Sequence, residues 1–140
     1  MMRILVCGDR NWTDRECITR ELLRYDSTSI IVQGCCRGAD RMAAESARTL
    51  NLHYEGYAPD WERYGRAAGP IRNKQMLDTG IHLVLCFHND ISNSKGTRDM
   101  MDQALARGIE VKIITTTELG TSNDMDPLPE PQPKGKSNEE

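Results

Sequence analysis

Short aliphatic and β-branched runs alternate along the chain with stretches of helical spacing, and this alternation restricts the fold more than any other feature. Runs at 4–7, 29–33, 83–87 and 111–114, with a weaker one at 53–57, read as buried strands. The intervening stretches carry helix punctuation. Thr13-Asp14-Arg15-Glu16 has the form of a capping box ahead of Ile18, Leu22 and Leu23. Residues 39–50 form an alanine-rich helix after Gly38, Pro70 suits the first turn of a helix reaching Asp78, and a helix over 97–107 is closed by Gly108. Strands joined by helical crossovers give an open, mainly parallel five-stranded sheet with helices on both faces, a Rossmann-like α/β fold.

The 38% hydrophobic content of the 140 residues suffices for one core. No run approaches the roughly 20 apolar residues of a membrane span. The start, Met1 to Gly8, meets glycine and aspartate too soon for a signal peptide, so the expectation is a cytoplasmic protein with no membrane association. Residues 119–140 hold four prolines and few large apolar groups, and carry the whole chain's net charge of −3. Such a segment cannot offset its ordering entropy, which divides the chain into a domain over 1–118 and a disordered acidic tail over 119–140.

Residues 1–118 balance 16 cations with 16 acids and so lack the basic excess of a general nucleic-acid binder. Thirteen of those cations are arginines, the exceptions being Lys74, Lys95 and Lys112. The guanidinium fork suits bidentate contact with phosphate or carboxylate, which favours a small anionic ligand. Cys7 and Cys86 lie within apolar runs and read as small hydrophobes, while Cys35 and Cys36 are vicinal. With no C-x-x-C pair and with His53, His82 and His88 scattered, the expectation is reduced thiols and no metal.

In such a sheet, ligands bind at the carboxyl ends of the strands, where strand order reverses. The chain places three turns there: Gly8-Asp9-Arg10-Asn11, Gly34-Cys35-Cys36-Arg37-Gly38-Ala39-Asp40 and Lys95-Gly96-Thr97-Arg98-Asp99. Each opens a helix and brings an arginine, so amide donors, the helix dipole and a guanidinium all favour a phosphate. The alternative is that the glycines only make tight turns and the arginines only solvate the rim. Neither the G-x-G-x-x-G spacing nor a P-loop lysine is present, which argues against dinucleotide redox chemistry and ATP hydrolysis. The connection over 58–73 adds Trp61 and Tyr64, suited to stacking on a base or capping the core's edge. Arg72 and Asn73 are expected in a first helical turn facing the crevice, where a cation opposes the dipole unless an anion offsets it.

Gly8-x-Arg10 with Trp12-Thr13-Asp14, then Gly34-x-x-Arg37-Gly38-Ala39-Asp40, and above all Gly65-Arg66-Ala67-Ala68-Gly69-Pro70-Ile71-Arg72-Asn73 resemble the YspA-type (YpsA-related) branch of the SLOG superfamily over about residues 3–114. The resemblance implies a Rossmann-like domain of bacteria or phages that binds nucleotides or nucleotide-derived ligands, with a sensing role proposed for the branch and dimers common among relatives. More distantly, the chain is similar to the Lonely Guy phosphoribohydrolases, which carry P-G-G-x-G-T-x-x-E and cleave the base from a nucleoside monophosphate. Here Gly96-Thr97 is kept, but the glutamate position falls on Met100, and Asp99 lies one residue early, about 100° around the helix.

Three functions are therefore open. In the first, a nucleotide-type ligand is held by Gly8, Gly34, Gly38, Gly96 and Thr97, neutralised by Arg10, Arg37 and Arg72, and contacted by Asn73, Asp40 and Trp61, without a cofactor. In the second, Asp99 or Asp40 stabilises an oxocarbenium-like state in N-glycoside hydrolysis. In the third, the tail or a helix face engages a protein.

Overall fold

A computed structural model describes residues 1–116; the expected tail over 119–140 lies outside the described residues. Five strands, β1 (Arg3–Gly8), β2 (Ile30–Gln33), β3 (His53–Gly56), β4 (Leu83–Phe87) and β5 (Glu110–Ile114), form one sheet in the order β3-β2-β1-β4-β5. Every neighbouring pair is parallel. The crossovers contain α1 (Arg15–Leu22), α2 (Ala39–Thr49), α3 (Trp61–Tyr64), α4 (Ala68–Leu77) and α5 (Lys95–Ala106). The protein is a Rossmann-like α/β domain.

The period of two along the strands sorts the core onto two faces. Ile4, Val6, Ile31, Leu83, Leu85 and Phe87 pack with Ile18 and Leu22 of α1 and with Ala39, Ala43 and Ala47 of α2. Leu5, Val32, Val84 and Cys86 pack instead with Met76 and Leu77 of α4 and with Met100 and Ala104 of α5. The alanine stripe of α2 lets its start approach β1 closely. A Cβ on Gly8 would run into the Phe87 carbonyl and lie 3.0 Å from the Ala39 Cβ, so only glycine fits there.

Local capping differs from the sequence expectation in two places, at α1 and α5. Asp14, not Thr13, caps α1, its Oδ1 accepting from the Cys17 amide at 3.1 Å. Helix α4 has Pro70 in its first turn, as expected, and begins at Ala68 because a 3₁₀ turn at Gly65–Ala67 leads directly into it. Helix α5 starts at Lys95, where Ser94 accepts from the Thr97 amide at 3.2 Å. Trp12 enters the core, edge-on to Phe87 at 5.7 Å, and its indole N–H donates to the Asp14 carbonyl. Among the described residues no helix is long and apolar enough to cross a membrane.

Candidate functional site

Because all five strands run the same way, the loops after them emerge at one edge. Strand order reverses between β1 and β4, so the loops starting at Asp9 and at His88 flank the switch point. The loop after β1 and the loop after β2 are joined there. The Asp9 carbonyl accepts from the amides of Trp12 and Ala39, both at 3.1 Å. Gly38 has φ +77, and a Cβ on it would collide with the Asp9 carbonyl and the Arg10 backbone. Glycine at this position thus lets α2 begin directly against the β1 loop.

Gly38 is also the N-cap of α2, and no side chain caps that helix, whereas Asp14, Asp60 and Ser94 cap α1, α3 and α5. Arg10 and Arg37 are exposed beside it, with Arg37 Nη2 donating to Asn11 Oδ1 at 3.3 Å. These two arginines share one lip.

Arg72 does not join them. It lies in the second turn of α4, buried, and donates through Nη1 to the carbonyls of Gly34 at 2.6 Å and Tyr57 at 3.5 Å. Instead of facing the crevice, its guanidinium satisfies backbone acceptors at the ends of β2 and β3 that no strand partner reaches. The anion that offsets it comes from within the protein. Asp40, buried in the first turn of α2, stands across Gly34 from Arg72, and its Oδ2 accepts from the amides of Gly34 at 3.2 Å and Cys36 at 3.4 Å. Burial pushes the Asp40 carboxyl up to about 6, and the Arg72 charge and the two amides offset only part of that rise.

The network continues from Arg72 Nε to Asn73 Oδ1 at 3.1 Å. Asn73 Nδ2 donates to Asp99 Oδ2 at 2.9 Å and to the Gly96 carbonyl at 3.4 Å. Gln103 Nε2 donates to the same Asp99 oxygen at 2.8 Å. Asn73 is therefore committed to neighbouring helices rather than turned outward, and Asp99 is oriented by two amide donors. Gly96 is exposed with open space where a Cβ would stand, whereas Thr97 is buried. Trp61 is 57% exposed and its ring lies 3.8 Å from the position of a Cβ on Gly69. Below the site, Cys7 and Cys86 pair across β1 and β4 with sulfurs 3.4 Å apart, which holds the Cys7 thiol well above its ordinary range. Among the described residues no cluster of histidine, cysteine and carboxylate side chains is arranged to hold a metal.

The YspA, cpYpsA-related SLOG family matches residues 2–64, which contain both joined loops. The gene 61 protein of Mycobacterium phage D29 is 35% identical over 120 residues, covering 79% of this chain and 94% of the relative. The chain belongs to the YspA, cpYpsA-related SLOG family. The solved structure of DNA processing protein A (DprA) from Streptococcus pneumoniae superposes on this SLOG domain with a TM-score of 0.69 at 15% identity. That match covers 85% of this chain and 52% of DprA, so the domain spans about half of that protein, and the likeness is one of fold.

Two features of this candidate site were hidden in the sequence. His88, nine-tenths buried at the end of β4, opens the crevice-edge segment 88–94 that leads to Lys95, but nothing in that segment singled out its ring. Gln103 stands one turn beyond Asp99, a spacing that signals contact on a helix only once Asp99 is known to face inward.

Proposed function

We propose that this domain binds a nucleotide or nucleotide-derived ligand, with its phosphate at the switch point between the starts of α2 and α5. The observation that carries this reading is the N-terminus of α2, which lacks a side-chain cap and has Arg10 and Arg37 exposed beside it. First-turn amides beyond Ala39, whose own N–H is taken by the Asp9 carbonyl, combine with the helix dipole and guanidinium groups in preference for a dianion there. Gly96 and Lys95, both exposed at the start of α5, supply the facing amides. Trp61 provides a stacking surface for the base. In this reading Gly8, Gly34 and Gly38 shape the lip, Arg72 and Asn73 brace it from beneath, and Asp40 and Thr97 hold loop and helix ends. Charge balance within residues 1–118 favours a small ligand over a nucleic-acid strand.

Thermal unfolding in the presence of AMP, ADP-ribose and ribose 5-phosphate tests this. Binding raises the apparent Tm by mass action, and Arg37→Ala abolishes the rise while leaving the ligand-free Tm within about 2 °C. No rise with any probe at millimolar concentration refutes the reading.

One observation favours hydrolysis as a second reading. Asp99 is fixed through Oδ2 by Asn73 and Gln103, which leaves Oδ1 without a hydrogen bond, and Asp40 titrates near 6. A fixed carboxylate is the group that stabilises an oxocarbenium-like state in N-glycoside cleavage. Release of free base from AMP, lost in Asp99→Asn, is the outcome this second reading requires.

A further inference from the structure

His88 is the one histidine of the described residues that the fold buries, with 9% of its surface exposed, whereas His53 and His82 are exposed. It follows β4 directly, and its amide donates to the Ile114 carbonyl at 3.0 Å, extending the ladder to β5 by one step. On its other side, the Asp9 amide donates to the Phe87 carbonyl at 2.9 Å, so His88 and Asp9 flank the point where strand order reverses.

The two ring nitrogens have different surroundings. Nδ1 accepts from the Asp90 amide at 2.9 Å. An N–H donor can be met only by a nitrogen that carries no proton, so the neutral ring has its hydrogen on Nε2. Among the described residues that Nε2 has no hydrogen-bond partner. An N–H donor of this tautomer thus belongs to a ring held at the switch point, next in sequence to the Phe87 carbonyl that the Asp9 amide meets.

We propose that His88 contacts the ligand, its Nε2–H donating to a phosphoryl oxygen at the switch point; this rests on the nucleotide reading above. A neutral donor suits that place. It adds a directed hydrogen bond to a dianion already faced by Arg10 and Arg37, and the Asp90 turn holds the ring so that little ordering is needed on binding.

With three histidines in the chain, selective ¹⁵N labelling and long-range ¹H–¹⁵N correlation resolve each ring. The ligand-free protein is expected to show His88 protonated at Nε2. Ribose 5-phosphate and AMP are expected to shift that resonance and leave His53 and His82 in place, while adenosine does neither. A His88 ring protonated at Nδ1 in the free protein overturns the proposal whatever binds. If AMP raises the Tm but leaves Nε2 unshifted, the role of His88 is refuted and the nucleotide reading stands; if no probe raises the Tm, both fall.

His88→Asn supplies the second test. Its amide oxygen offers the Asp90 N–H an acceptor close to where Nδ1 stood but puts no donor at the Nε2 position. A ligand contact predicts AMP binding weakened about tenfold or more with the fold intact. A purely structural role predicts binding like that of the parent.

Discussion

Asp40→Asn isolates what it costs to bury a carboxylate under the α2 lip. In the folded chain Asp40 titrates at about 6, against an ordinary value of 3.8 that the unfolded chain retains. The folded state therefore binds the proton more tightly. The protonated acid's contribution to stability is present below the unfolded pKa and is lost as pH rises through the folded one. Between those two values the difference amounts to about 3 kcal/mol in full. Over the experimentally convenient interval from pH 4.5 to 7.5 the linkage relation leaves about 2 kcal/mol of it. Asparagine does not titrate, so the stability of Asp40→Asn relative to the parent should climb by that amount as pH rises across the interval. Urea unfolding of both proteins at half-unit pH steps gives the difference directly, and all other titrating groups cancel. Parallel pH profiles would show that Asp40 is not desolvated. A difference of opposite sign would show that attraction to Arg72 outweighs burial.

Two further outcomes follow from the same geometry. Arg72→Met removes the donor to the Gly34 and Tyr57 carbonyls and the charge facing Asp40, and is expected to cost about 3–5 kcal/mol in urea unfolding. Combining it with Asp40→Asn should cost less than the sum of the two single changes, and strict additivity would argue against coupling across Gly34. Gly38→Ala forces a side chain into a left-handed conformation and against the Asp9 and Arg10 backbone, so about 2 kcal/mol or more of stability is lost. An unchanged midpoint in that variant would mean that the two loops are not joined as described.

Much of the fold is legible in the sequence because its signals are local. Each of the five runs that reads as a strand is one, within a residue or two at each end, and the turns after β1, β2 and β4 emerge at one edge as parallel pairing requires. Asp14 and Ser94 illustrate the limits of local reading. Thr13 and Asp14 are both good caps, and which one serves depends on where Trp12 is anchored in the core. The candidate site was legible as a set of loops but not as a set of directions. Arg10 and Arg37 stand on the lip, while Arg72 and Asn73 turn inward to partners on other elements.

The sequence alone determined the alternating α/β order, the apolar strands at the centre of the sheet and the glycine turns that follow β1 and β2. These follow from periodicity and backbone sterics, which act between residues close in the chain. Tertiary structure decided that Asp40 would face Arg72, that Gly38 would bring α2 against Asp9, and that the Asp90 amide would hold the His88 ring. Each depends on which buried donor or acceptor lies across a packed interface from another, as with Arg72 and the Gly34 carbonyl 38 positions apart, and packing settles that only when the elements meet.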